Sequence, residues 1–380
     1  MADKYIPVRR EKKRPAPLRF LKAFWIFIPL VLAALMYFLL PLFPDFTEYA
    51  VSRGLFRVYT VPVGFLTSLL PFSLTELCAV LAVPAVVTLI VIFIIRMKKS
   101  RSKGKTALRA GRFLAGFLSF AAFIYMTAHG ANFYRQSVEQ LMQLDTSHCS
   151  NEFLLEVCKD LAAHAAKERE LLPEDENGCT VLPEDIYTEL TRAGSGYDAL
   201  CGEYPFLWTD IWRQKPVQLS QYWSYTGIIG MYFPFLAECN INTEQTAFTV
   251  PFTASHESAH SRGIAFENEC NFLAFLSCIS SEYPEYRYSG YMNALKYCSN
   301  SLCSADEDLW QQAHDCMTDG MIRDFDAGNA YIRAHSGKVK DVSTTANDVF
   351  IKAQRVKDGT ESYGRATDLI LAYYRNQAAS

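Results

Sequence analysis

Charge is missing from three stretches of this chain. Residues 23–43, 77–95 and 113–128 contain no Asp, Glu, Lys or Arg, which excludes a surface helix of a soluble protein, because such a run has no polar face to give to water. The first two stretches are long enough to cross a hydrocarbon core of about 30 Å, and the uncharged residues 127–133 extend the third to a similar length. Membrane-spanning helices are therefore expected at 23–43, 77–95 and 113–133. A cleaved signal peptide fits the first poorly, since residues 38–44 offer no small-residue cleavage site. Basic residues are scarce later in the chain. From residue 131 onward 19 Lys and Arg stand against 35 Asp and Glu, a net charge of −16, which argues against nucleic acid as a partner. The eleven cysteines include no CxxC pair, so a thiolate zinc site lacks its usual spacing. No internal repeat is visible, which removes solenoid architectures.

The basic residues that are present lie at two places. Residues 1–22 carry eight, and residues 96–112 carry eight more with no acid among them. Positive segments stay in the cytoplasm, so the basic N-terminus 1–22 and the loop 96–112 are expected inside, with the loop 44–76 and the domain 134–380 outside. This describes a multi-pass protein of the cell membrane. The charge-free run 58–75 reads as a helix lying in the outer interface, broken by Pro62 and Pro71. Ten of the cysteines fall on the outer side, where disulfides are permitted and free thiols are equally admissible; the sequence does not give a pairing.

In the outer region Phe153, Leu154, Val157, Leu161 and Ala165 recur at helical spacing and predict a helix over 149–170. A second is expected over 186–200. Between 216 and 253 aromatic and β-branched residues concentrate among Gly and Pro, which predicts short extended segments, one of them at 247–250. Helices are expected again from Ser255, with loops near 336–342 and 357–360. The fold class is mainly α: three N-terminal transmembrane helices, then a mostly helical extracytoplasmic domain with a small strand component before the helix described next.

That helix carries His256-Glu257-Ser258-Ala259-His260. Imidazoles four residues apart stand one turn apart on one helix face, where both can hold a single tetrahedral ion. Glu257 falls beside that position and suits a general base acting on water. A third protein ligand is needed. On an unbroken helix Glu267 would lie about 10 Å along the axis from His260, too far to share the ion. Gly263 can take the left-handed conformation that ends a helix and folds the chain back, which brings Glu267 into reach. Asn271, one turn further on, could then hydrogen-bond a ligating histidine. Glu269 is the alternative ligand.

Glu267-Asn268-Glu269-Cys270-Asn271 resembles the Glu-x-x-Ala-Asp signature in which Glu-zincins place their third zinc ligand, with Cys270 in place of Ala and Asn271 in place of Asp. The interval between the two motifs is much shorter than in thermolysin-like enzymes, so the geometry of that loop does not transfer. The chain as a whole resembles an uncharacterised bacterial membrane family, domain of unknown function 3810. The matching stretches are 227–235, 238–242, 256–272, 357–359 and 362–365. The resemblance implies a membrane protein with a zincin-type site and brings no substrate.

Further candidates follow from zincin chemistry. The strand before the active helix commonly binds substrate backbone by edge pairing, which nominates Glu238, Asn240 and Asn242; the same residues also suit a buried turn. Tyr363 or Arg365 could stabilise an oxyanion, and also suit packing and a surface ion pair. His129 reads as interfacial, and His314 and His335 as solvent-facing. Cleavage within the membrane is disfavoured, because the motif lies far along the chain from the spans. The expected function is hydrolysis of peptides or proteins outside the membrane, with Zn2+ held by His256, His260 and Glu267 and water activated by Glu257. An inactive zinc-binding surface module and a zinc hydrolase of non-peptide bonds are the alternatives.

Overall fold

The computed structural model describes residues 24–209, 213–354 and 365–379. Numbering only the longer helices, α1 is Ile28–Leu39, α2 Phe56–Ser68, α3 Leu74–Lys99, α4 Lys103–Ala128, α5 Asn151–Arg169, α6 Val250–Ser261, α7 Glu267–Ile279, α8 Pro284–Ala305, α9 Asp319–Ala334, α10 Lys338–Ala353 and α11 Ala366–Ala379. The protein is mainly helical. Three segments, Trp25–Leu42, Leu74–Lys99 and Lys103–Ala128, are long and apolar enough to cross a membrane. From residue 77 to 95 α3 is apolar and exposed on every side, Val83 for example at 70%, a surface that only lipid or another protein can cover.

The third apolar helix stops at Ala128, and the expected extension over 127–133 does not form. Gly130–Tyr134 instead makes a 3-10 turn, wholly buried. The segment 58–75 also departs from expectation, because Pro62 sits inside a continuous helix. Its missing N–H would have bonded the carbonyl of Val58, an exposed residue whose carbonyl need not rely on the helix. One side of α2 is buried through Phe56, Thr60, Gly64 and Thr67, while Val58, Phe65 and Leu66 point outward.

The domain core is formed by α5, α6, α7 and α8. In α5 the buried residues Leu154, Cys158, Leu161 and Ala165 repeat every three or four positions, so one stripe faces the core. The predicted helix over 186–200 is interrupted by a 3-10 turn at Arg192–Gly194, and the predicted loop at 336–342 shortens to the residues before Lys338. All eleven cysteines are thiols.

A three-stranded sheet, β1 Lys215–Pro216, β2 Gly230–Phe233 and β3 Glu238–Ile241, has the order β1-β3-β2. β3 pairs in parallel with β1 and antiparallel with β2, Gly230 opposite Ile241 and Phe233 opposite Glu238. The expected strand at 247–250 is a turn running into α6. Thr249 bonds back to Thr246 and Pro251 occupies the first turn, so helix-start chemistry outweighs the local β-propensity of the segment.

Sheet and apolar helices are tied by polar side chains. Glu238 accepts from the N–H of Leu74 (3.2 Å), the N–H of Thr75 (2.8 Å) and the hydroxyl of Thr75 (2.7 Å), satisfying donors that the start of α3 would otherwise leave open. Glu76 in turn accepts from the N–H groups of Gln218 and Leu219. A second tie joins Glu48, fully buried, to Arg135. Arg135 gives Nε and Nη2 to the carboxylate at 2.7 and 2.9 Å and Nη1 to the carbonyl of Gly263 at 2.8 Å. Removing one partner of such a pair leaves a buried charge unmatched, so Glu48→Ala should destabilise the protein by about 3–5 kcal/mol. Denaturant unfolding of the detergent-solubilised protein measures this; a loss below about 1 kcal/mol would show the pair to be solvated.

Candidate metal centre

The site is assembled by α6, the turn after it and the first turn of α7. α6 ends at Ser261, Gly263 takes φ +81°, and α7 starts at Glu267. The left-handed glycine reverses the chain within a few residues. A Cβ there would meet Phe56, Asn132 and Arg135 at 3.2–3.4 Å. The histidine rings are 4.9 Å apart between centroids. The Glu267 carboxylate lies between them, Oε2 at 3.1 Å from Nε2 of His256 and Oε1 at 3.6 Å from Nε2 of His260.

The other ring nitrogens fix what those Nε2 atoms present. Nδ1 of His260 is 2.9 Å from the carbonyl of Ile264, which can only accept, so Nδ1 carries the proton. Nδ1 of His256 likewise meets Oδ1 of Asn271 at 2.8 Å. Two imidazole lone pairs and a carboxylate therefore converge on one point, an arrangement that calls for positive charge at its centre. A proton can supply it. Burial disfavours the charged His256, yet its bond to Glu267 raises the pKa overall. Glu267 is pushed up by burial but brought down to about 2 by His256 and His260.

His256, His260 and Cys270 also offer ligand atoms within 4.8 Å of one another. The Cys270 sulfur, however, lies 3.3 Å from Nδ1 of His260, the edge of the ring turned away from Glu267. An ion there would compete with the His260–Ile264 bond. The Nε2 side with Glu267 uses free lone pairs and is the better fit. Glu269 is not part of the site; its Oε1 accepts from the N–H of Val138 at 2.9 Å, on the side of α7 facing Arg135 and Glu48.

Glu257 is buried, its pKa raised to about 7 by desolvation, and its Oε2 has no hydrogen-bond partner. The backbone N–H of Tyr232 on β2 is turned toward its carboxylate and partly offsets that rise. A Cβ on Gly230 would come within 2.5 Å of Glu257 Oε1 and 2.7 Å of Thr253 Cγ2, so only glycine lets the strand lie this close to α6. β2 is also the outer strand of the sheet. Gly230 and Tyr232 occupy its non-bonded positions and turn their main-chain groups away from β3.

The strand nominated from sequence, β3, is the central one. β3 has both edges paired, and Glu238, Asn240 and Asn242 are buried and bonded elsewhere: Glu238 to the start of α3, Asn240 to Ser73 and the carbonyl of Met231, Asn242 to Ser224, Ile228 and Tyr331. Tyr363 lies outside the described residues. Arg365 is exposed at the start of α11, where its charge acts on Asp368.

His129 was read as interfacial and stands at the site. Its ring is 5.9 Å from that of His260 and 6.2 Å from that of Tyr232, and its buried Nδ1 has no hydrogen-bond partner. No local pattern marks it, because only the fold brings the end of α4 against α6. His314 and His335 pack at a tilt against Trp310 and Tyr331 instead.

The profile of a family described as Protein of unknown function (DUF3810) matches residues 51–371. The chain belongs to the DUF3810 family. No curated protein and no solved structure matches it. The match in this DUF3810 chain includes the apolar helices α3 and α4 together with α6 and α7. Within it the approach of Gly230 to Glu257 is a sharp test of the site. Gly230→Ala should force the strand and Glu257 apart at a cost of about 1–3 kcal/mol; an unchanged denaturant midpoint would mean that β2 and α6 stand further apart than described.

Proposed function

We propose that this protein is a membrane-anchored zinc metallopeptidase. The observation that carries the reading is the convergence of two Nε2 lone pairs and the Glu267 carboxylate, with a buried, unpartnered carboxylate oxygen on the adjacent Glu257. Two imidazoles and one carboxylate are a donor set suited to zinc with a position left open for chemistry. His256, His260 and Glu267 would hold the ion, and Asn271 and the Ile264 carbonyl would keep both rings oriented. Zinc, when bound, polarises a carbonyl and acidifies water.

The remaining work falls to the chain. Substrate backbone adds along the outer edge of β2, aligned by the main-chain groups of Gly230 and the carbonyl of Tyr232, whose N–H is turned to Glu257. Glu257 takes a proton from water as its oxygen bonds to the peptide carbonyl carbon. The same proton passes to the departing nitrogen as the C–N bond breaks, leaving an amine and a carboxylic acid, whose remaining proton then passes to the amine or to solvent. His129, whose ring is 5.9 Å from that of His260, is a further donor for the carbonyl oxygen beside Tyr363 and Arg365. Residues 1–22 and 96–112 lie in the cytoplasm and 134–380 outside, as the basic residues require.

Metal analysis of the purified protein should find one zinc, lost in His256→Ala and His260→Ala and weakened in Glu267→Gln, but retained in Cys270→Ala and Glu269→Gln. Glu257→Gln should keep zinc and lose at least about 10²-fold in turnover on a peptide library. Zinc retained by both histidine variants would remove the metal reading; wild-type turnover by Glu257→Gln would remove the mechanism. A reporter that is active only in the cytoplasm, fused after Ser380, should be silent, and activity would reverse the assigned topology.

A further inference from the structure

The motif that lies far from the apolar helices in sequence lies against them in space. His129 is the first residue after α4, and it faces His260. Phe266, which precedes Glu267, packs edge-on against Phe133 at 5.5 Å between centroids. Ala265 belongs to the same buried cluster as Leu40, near the end of the first apolar segment. The turn that delivers Glu267 is therefore seated on the ends of two candidate spans.

The edge strand is seated in the same way, by independent contacts. The hairpin of β2 and β3 rests on α2: Tyr59 donates its hydroxyl to the carbonyl of Phe235 at 2.9 Å, and Val63 packs on Tyr232, Ala237 and Cys239. The opposite side of α2 is apolar and open, with Val58 at 73%, Phe65 at 58% and Leu66 at 62% exposure. A helix of this kind at the end of a span settles in the headgroup layer. From the other direction α10 runs from Lys340 beside Gly227, just before β2, to Phe350 against Tyr125 of α4 and the Ala353 carbonyl bonded by Tyr37 of α1. α2 and α10 thus both join the surroundings of the β2 edge to the apolar helices.

We infer that the substrate is a membrane-anchored polypeptide, cut in the segment where it leaves the outer leaflet; this rests on the zinc peptidase reading. A soluble peptide would have to approach an edge flanked by lipid on the α2 side. A chain rising out of the bilayer passes that edge on its way to water. Headgroups add several ångströms outside the hydrocarbon and an extended chain advances about 3.3 Å per residue, so the cut should fall within about ten residues of the apolar segment.

The test uses the full-length protein in lipid vesicles with zinc, and Glu257→Gln as the blank. One randomised peptide library is offered in three forms: free in solution, joined to a single transmembrane helix by a short Gly/Ser spacer, and joined by a spacer several times longer. The short-spaced library should be cut, at mapped positions close to the bilayer, and should lose at least about tenfold in rate when the spacer is lengthened or the anchor removed. Equal rates for the free and anchored libraries, or for the two spacers, would overturn the inference while leaving the peptidase reading intact. No cleavage of any form above the blank would overturn the peptidase reading and the inference with it.

Discussion

Arg135 has three of its donors committed in two directions, to the Glu48 carboxylate on one side and to the Gly263 carbonyl on the other. The pair is buried, so neither charge can exchange its partner for water without a large cost, and the distance between the Glu48 segment and the Gly263 turn is fixed. Glu48 lies in the π-helical segment Thr47–Leu55 that follows the first apolar segment. Gly263 sets the direction in which the chain returns toward Glu267. One guanidinium consequently holds the third candidate ligand in register with the apolar part of the molecule. The wider turns of a π-helix are a known accommodation at such places, since they bring an inward side chain into a position that regular α-geometry would not give it.

What could be read from sequence was local. The three apolar helices follow from composition, and the shared face of His256 and His260 follows from a spacing of four. Gly263 announced the reversal because few other residues tolerate φ +81°. Choosing between Glu267 and Glu269 needed the helix start as well, because a shift of two residues on a helix turns a side chain to the opposite side. Pro62 misled because a proline is a breaker only where its missing hydrogen bond matters. Residues 247–250 misled because β-propensity is a weak preference that a helix start overrides.

The rest was carried by contacts between distant parts of the chain. β3 looked like a substrate strand by its position before the motif, but which strand of a sheet is central depends on two pairings that its own residues do not encode. His129 is separated from His260 by 131 residues, and Cys270 faces the motif only after the reversal at Gly263. Gly230 belongs to a stretch that marked the family resemblance, yet its role becomes visible only when the Glu257 side chain occupies the space its Cβ would take.

Glu238 gives the architecture a mechanical character. Its carboxylate grips the first turn of α3, and its backbone is part of β3. The uncharged stretch 77–95 of α3 is about 28 Å long, close to a typical hydrocarbon core, so that in a bilayer a change of thickness would be met by a change of tilt. Any such tilt is a pull on β3, and through the ladder on β2 and the Tyr232 N–H held against Glu257. In a bilayer, lipid thickness would thereby reach the position of the Glu257 carboxylate.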